Sequence, residues 1–126
     1  MAARRAKETI EELEKRLIGE LEQRYGKSVG QLYKERNKRL GDTVALKVPD
    51  RVPVDIAFGY FPAKYLGIST KAAYYDHDAW LSATMKTAAD FDPDGIWYVN
   101  GFSSGKAMEC IDPKSQKWAG HGVDHG

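Results

Sequence analysis

Three short stretches of this chain hold residue types that could do chemistry. The first is GHGVDHG near the carboxyl end, where His121 and His125 stand in an H-x3-H spacing with Asp124 between them. On a helix that spacing puts two imidazoles on one face, ready for a metal ion. The surrounding glycines favour a loop instead, in which neither ring is fixed. The second is SSGK, residues 103 to 106, which has the look of a phosphate cradle at a helix start. One glycine and one lysine fall short of a P-loop, so this signal is weak. The third is KVPDRVPVDIAFGY, residues 47 to 60, in which Asp55 interrupts an alternating apolar run. Asp55 falls with Pro53 and Ala57 on the side of that run away from its apolar face, and reads either as a substrate or acid/base group or as the partner of a structural cation.

The elements that position these residues can be read from periodicity. Between Lys7 and Tyr25, Ile10, Leu13, Leu17, Ile18 and Leu21 recur at three- and four-residue steps, which predicts a helix with one buried face. Gly26 ends it, and Ser28 caps a second helix whose stripe is Val29, Leu32, Tyr33, Leu40 and Val44. Pro49 stops helix propagation. From Val52 to Phe58 the period becomes two, with Val52, Val54, Ile56 and Phe58 on one side, as in a strand. Phe61, Pro62, Tyr65 and Leu66 form a short apolar turn, and Ser69 and Thr70 cap a short helix through Tyr75. Residues 76 to 91 carry an acidic start and a helical stripe, DPDG is a turn, and IWYVN is a second strand. A weaker helix runs from Gly105 to Ile111, and KWAGHGVDHG has no structure-forming pattern. Strand, crossover helix and strand with no tight hairpin predict parallel pairing in an α/β sheet.

Composition bounds the function. The chain has 126 residues, 19 basic and 18 acidic, for a net charge of +1. That size suits one domain, and that charge gives no field to draw it onto nucleic acid or an anionic membrane. The clusters at Arg4, Arg5, Lys34, Arg36, Lys38 and Arg39 read as solvated helix faces. Cys110, the single cysteine, cannot form an internal disulfide and falls on an apolar helix face, where a buried inert thiol is expected. A reducing cytoplasm fits best. The amino end is too charged for a signal peptide, and no run is long enough to span a bilayer.

DRVPVDIAF, then a loop, GIST, an acidic helix start and FDPDGIWYV together resemble the opening of the uroporphyrinogen decarboxylase family. The matching elements are Asp50 to Val54 and Phe91 to Asp94. GKAMECID and KWAGHGV resemble the segments after the second strand in the family's decarboxylase-like bacterial and archaeal branch. The resemblance covers the last two-thirds of this chain and the first third of a family enzyme. It implies a partial TIM (β/α)8 barrel, with residues 1–46 as an amino-terminal helical segment and 47–126 as the first βα units. Asp55 would look into the barrel. Active sites of such barrels sit at the carboxyl ends of the strands, which would make Asp55, Tyr60, Lys64 and Asn100 substrate-binding candidates, with Ser103 and Ser104 nearby.

The resemblance implies a small-molecule substrate and either decarboxylation of a tetrapyrrole-type compound or corrinoid-linked methyl transfer in the complete protein. Decarboxylases of the family carry an arginine-rich R-Q-A-G-R-Y element after the first strand, whereas this chain has FGYFPAKYL, with Lys64 as its one cation. The methyltransferase branch binds zinc through His and Cys of its carboxyl-terminal half and works with a corrinoid partner. No cofactor is expected in this chain itself. Open sheet edges predict self-association and marginal stability. The alternative is a small helix-rich protein-binding module without catalysis.

Overall fold

A computed structural model describes residues 8–97 and 104–123 of the chain. Helix α1, Ile10–Tyr25, begins with a capping box in which Thr9 accepts from the Glu12 N–H and the Glu12 side chain returns the bond. It stops at Gly26, whose φ of 63° is the left-handed conformation that glycine adopts freely. Helix α2, Val29–Val44, opens with a second capping box, Ser28 with Gln31. Its end is a Schellman turn: the Lys47 N–H reaches the Asp42 carbonyl, and the Leu46 N–H reaches that of Thr43. The left-handed residue of this turn is Leu46, at φ 57°, where glycine is the usual choice.

Strand β1, Asp55–Ala57, pairs in parallel with β2, Gly95–Trp97, in the register Asp55 to Gly95 and Ala57 to Trp97. Between them lie α3, Phe61–Leu66, α4, Ala72–Tyr75, and α5, His77–Phe91. Asp76 caps α5 by accepting from the Ala79 N–H. Helix α6, Gly105–Ile111, comes next, and then Trp118–Ala119 (β3) pairs with Gly122–Val123 (β4) across a tight loop. Helix α5 is the hub, packing on α1, α3 and α4. Two small cores result. Leu13, Leu17 and Ala89 join α1 to α5, with Met85 against them. Ala63, Ala73 and Trp80 join α3, α4 and α5, flanked by Tyr60, Ile68 and Tyr74.

The barrel expected from the resemblance is not what the chain forms. Its described residues are mostly helical, and their longest sheet is a parallel pair with three residues in each strand. The expected strand from Val52 to Phe58 shrinks to Asp55–Ala57. The Val54 N–H bonds to the Asp94 carboxylate, and the Val54 carbonyl accepts from the N–H groups of Asp94 and Gly95. Val52 is 80 % exposed, so alternation there marks no buried face. Residues 98–100 of the second expected strand lie outside the described residues. The short apolar turn after Tyr60 is helix α3, with Pro62 in its first turn, a position where a missing N–H costs nothing. Cys110 is exposed rather than buried. No helix among the described residues is long and apolar enough to cross a membrane.

Candidate functional site

Residues 50–54 and 91–94, far apart in the chain, meet in space. Arg39, on the face of α2 that charge alone assigned to solvent, is buried at 7 % exposure. Its guanidinium holds both oxygens of Asp50 at 2.7 Å and also donates to Asp94. Arg51 makes a two-pronged pair with the same Asp94, at 2.6 and 2.7 Å. Asp94 thus accepts from two guanidinium groups and the Val54 N–H, with no exposed side-chain surface. Burial alone would push its carboxyl up, but the Val54 N–H, Arg51 and Arg39 together hold it below the usual carboxylate range. Arg39 holds the Asp50 carboxyl down at about 2. Asp50 and Arg51 of DRVPV and Asp94 of FDPDG therefore form one ion cluster that fixes α2, β1 and β2 to each other. Every charge in it has a partner, and this is the chemistry of a staple rather than of a reacting group.

The candidate residues of β1 and the segment after it make few contacts with one another. Asp55 opens β1 and is exposed, with its carboxylate over Gly95: a Cβ at Gly95 would come within 2.9 Å of Asp55 Oδ1 and 3.5 Å of Leu40. Glycine at 95 is thus what lets the acid lie across the strand pair. Tyr60 is half-buried and shares a 2.6 Å hydroxyl contact with Tyr74. Burial, then the Tyr60 bond, pushes the Tyr74 hydroxyl pKa up, so it stays protonated. Lys64 is exposed on α3 and has no ion pair among the described residues. Asn100 and Ser103 lie outside the described residues, and Ser104 precedes α6.

A cleft that the sequence did not single out opens beside α4. It has a volume of about 500 Å³ and is lined by Ser69, Lys71, Gly120, Gly122 and Val123. Trp118, 2 % exposed, anchors the glycine loop; its indole N–H donates at 3.0 Å to the Tyr75 hydroxyl, which in turn donates to Glu109. The His121 ring stacks on Trp118 at 4.4 Å and 12°, a packing role rather than a ligating one. Asp124 and His125 lie outside the described residues, and no group of three His, Cys, Asp or Glu among the described residues is placed to hold a metal ion.

Some of this had a visible signal. The Asp-Arg pair at 50 and 51 and the acid of the DPDG turn could have been paired by charge, though nothing along the chain says which cation is buried. Trp118 beside G-H-G was the trace of an anchored loop, hidden by the absence of any period. Comparison with protein-family models, with curated proteins and with solved structures finds no match, so the residues themselves carry the functional reading.

Proposed function

We propose that this chain contributes scaffold and part of the ligand-facing surface to a uroporphyrinogen decarboxylase-like enzyme, and carries no complete catalytic set of its own. The observation that supports this is the reciprocal pairing of the two resembling segments: Asp50 and Arg51 on one side, and Asp94 on the other, are ion-paired through one cluster although they lie about forty positions apart. Two motifs that resemble one family and also complete each other's charges are better explained as one inherited unit than as two chance matches. The segment that leaves β1, Phe58 to Tyr75, supplies the Tyr60 and Tyr74 hydroxyls and the Lys64 and Lys71 ammonium groups. They are two hydroxyls that share a hydrogen bond and two ammonium point charges, groups suited to holding carboxylates. The zinc of the methyltransferase branch finds no ligand set among the described residues, so no step is assigned to it.

The test is direct binding of a tetrapyrrole polycarboxylate. Uroporphyrin, followed by its absorbance in the presence of increasing protein, is expected to bind saturably, more weakly to the Lys64→Ala variant and more weakly still as its methyl ester. Equal binding of acid and ester, or no binding, would overturn the reading. Cobalamin in the same titration addresses the corrinoid branch.

One observation favours the alternative of a non-catalytic binding module. Phe61, Tyr65 and Phe91 form a contiguous cluster with Phe58, with ring centroids 5.3 to 6.3 Å apart, and are 41, 44 and 48 % exposed. Aromatic surface of that kind is common at protein contacts. Sedimentation of the Phe61→Ser, Phe91→Ser variant would show whether it holds copies of the chain together.

A further inference from the structure

We propose that the cleft between α4 and the Trp118–Val123 loop is a binding site for a small oxyanion, a phosphate or a carboxylate. Four features converge on this. First, Lys71 has no carboxylate within ion-pair distance among the described residues. Second, its side chain is held in place. Its ammonium lies 5.2 Å from the Tyr75 ring centroid, and its stem runs beside Gly120, where a Cβ would come within 2.8 Å of Lys71 Cγ and 2.9 Å of the Tyr75 ring. A lysine packed between a ring and a glycine backbone loses less rotamer freedom on binding than a free surface lysine.

Third, Ser69 Oγ accepts from the Lys71 backbone N–H at 3.2 Å, which leaves its hydroxyl proton for a ligand. Fourth, no acid among the described residues lines the cleft: the lining is Ser69, Lys71, Gly120, Gly122 and Val123, and the nearby Glu109 is already engaged by the Tyr75 hydroxyl. A lining of one cation, one hydroxyl donor and glycine backbone favours negative charge. Gly120 at φ 91° and Gly122 at φ 76° bring the loop backbone close to the cation where residues with side chains would be strained and, at 120, would clash. The site does not depend on the enzyme reading above, and porphyrin binding can fail while this site holds.

The test is calorimetric titration of the full chain with inorganic phosphate and, separately, with citrate, at constant ionic strength. Saturable binding of at least one is expected below about 20 mM. Lys71→Met keeps the stem and removes the charge, and is expected to weaken binding about tenfold. Ser69→Ala should weaken it about threefold, and Lys34→Met, on the exposed face of α2, should leave it unchanged. Far-ultraviolet circular dichroism confirms that each variant is folded, and Lys71→Arg, which restores the charge, should recover most of the affinity if Lys71→Met alone is impaired. Preference for phosphate or for citrate identifies the source of the anion. Absence of saturable binding to both, or wild-type affinity in Lys71→Met, would overturn the proposal.

Discussion

The two ends of α5 are held by different physics. Its carboxyl end adds directional bonds to the packing of Ala89 on Leu13 and Leu17: Arg24 donates to the Ala89 carbonyl at 3.0 Å, Arg36 pairs with Asp92 at 2.6 Å, and Tyr25 also bonds Asp92. A few residues on, the Arg39, Asp50, Arg51 and Asp94 cluster ties α2 to the strand pair. Its amino end is fixed by packing: Trp80 is 2 % exposed against Ala63 and Ala73, and Trp118 is sealed nearby over Tyr75. Directional ion pairs fix geometry at a cost in desolvation, whereas apolar packing gives stability with less directional demand. The directional half is where the resembling motifs lie, and the packed half is where the unclaimed cleft lies.

The comparison can be broken hardest at Asp94. Asp94→Asn leaves Arg39 and Arg51 facing a neutral amide in a buried site and is expected to cost about 3–5 kcal/mol, enough to unfold the ion-paired half in a urea titration. Trp118→Ala should cost a similar or slightly smaller amount, about 3 kcal/mol, but locally. Hydrogen exchange is expected to speed up in α4 and α6 and to stay slow in α1 and α2. Uniform acceleration over the whole chain would show that the two halves are one cooperative unit.

Acid sharpens the distinction further. The Asp50 and Asp94 carboxyls sit below their unfolded values, so their contribution is complete above the unfolded value and is lost as pH falls through the folded ones. The melting temperature should fall between about pH 4 and pH 2, and the slope should be shallower in Asp94→Asn. The smallest effect is expected at Leu46, left-handed and 95 % exposed. Leu46→Gly relieves that strain and should stabilise the chain by about 0.5–1 kcal/mol net of the added freedom of the unfolded chain, measured by thermal melting.

Local signals were legible and long-range ones were not. The first two helices could be read from their apolar stripes, Gly26 and Ser28, because a cap is a contact within four residues, while the Thr9 cap went unread. Helix α5 could be read from its stripe, and the parallel strand pair from the strand, helix and strand order. The barrel could not be judged in the same way, because a resemblance supplies the family's fold without testing whether these residues form it. In the chain itself, Val54 gives its backbone to Asp94 and the strand is cut to three residues. The second stripe misled for a related reason: Tyr33 at 67 % and Val44 at 85 % exposure lie on it but stay largely open to solvent, while Arg39 is buried by acids at positions 50 and 94. The Lys71 cleft needed both α4 and the Trp118 loop, two segments with no common pattern.

A double-mutant cycle on Arg39 and Asp94 tests the central claim most directly. Urea unfolding of Arg39→Met, Asp94→Asn and the double variant is expected to give a coupling of about 1.5 kcal/mol or more between the two positions. Additive losses, within about 0.3 kcal/mol, would mean that the resembling motifs do not staple this fold together.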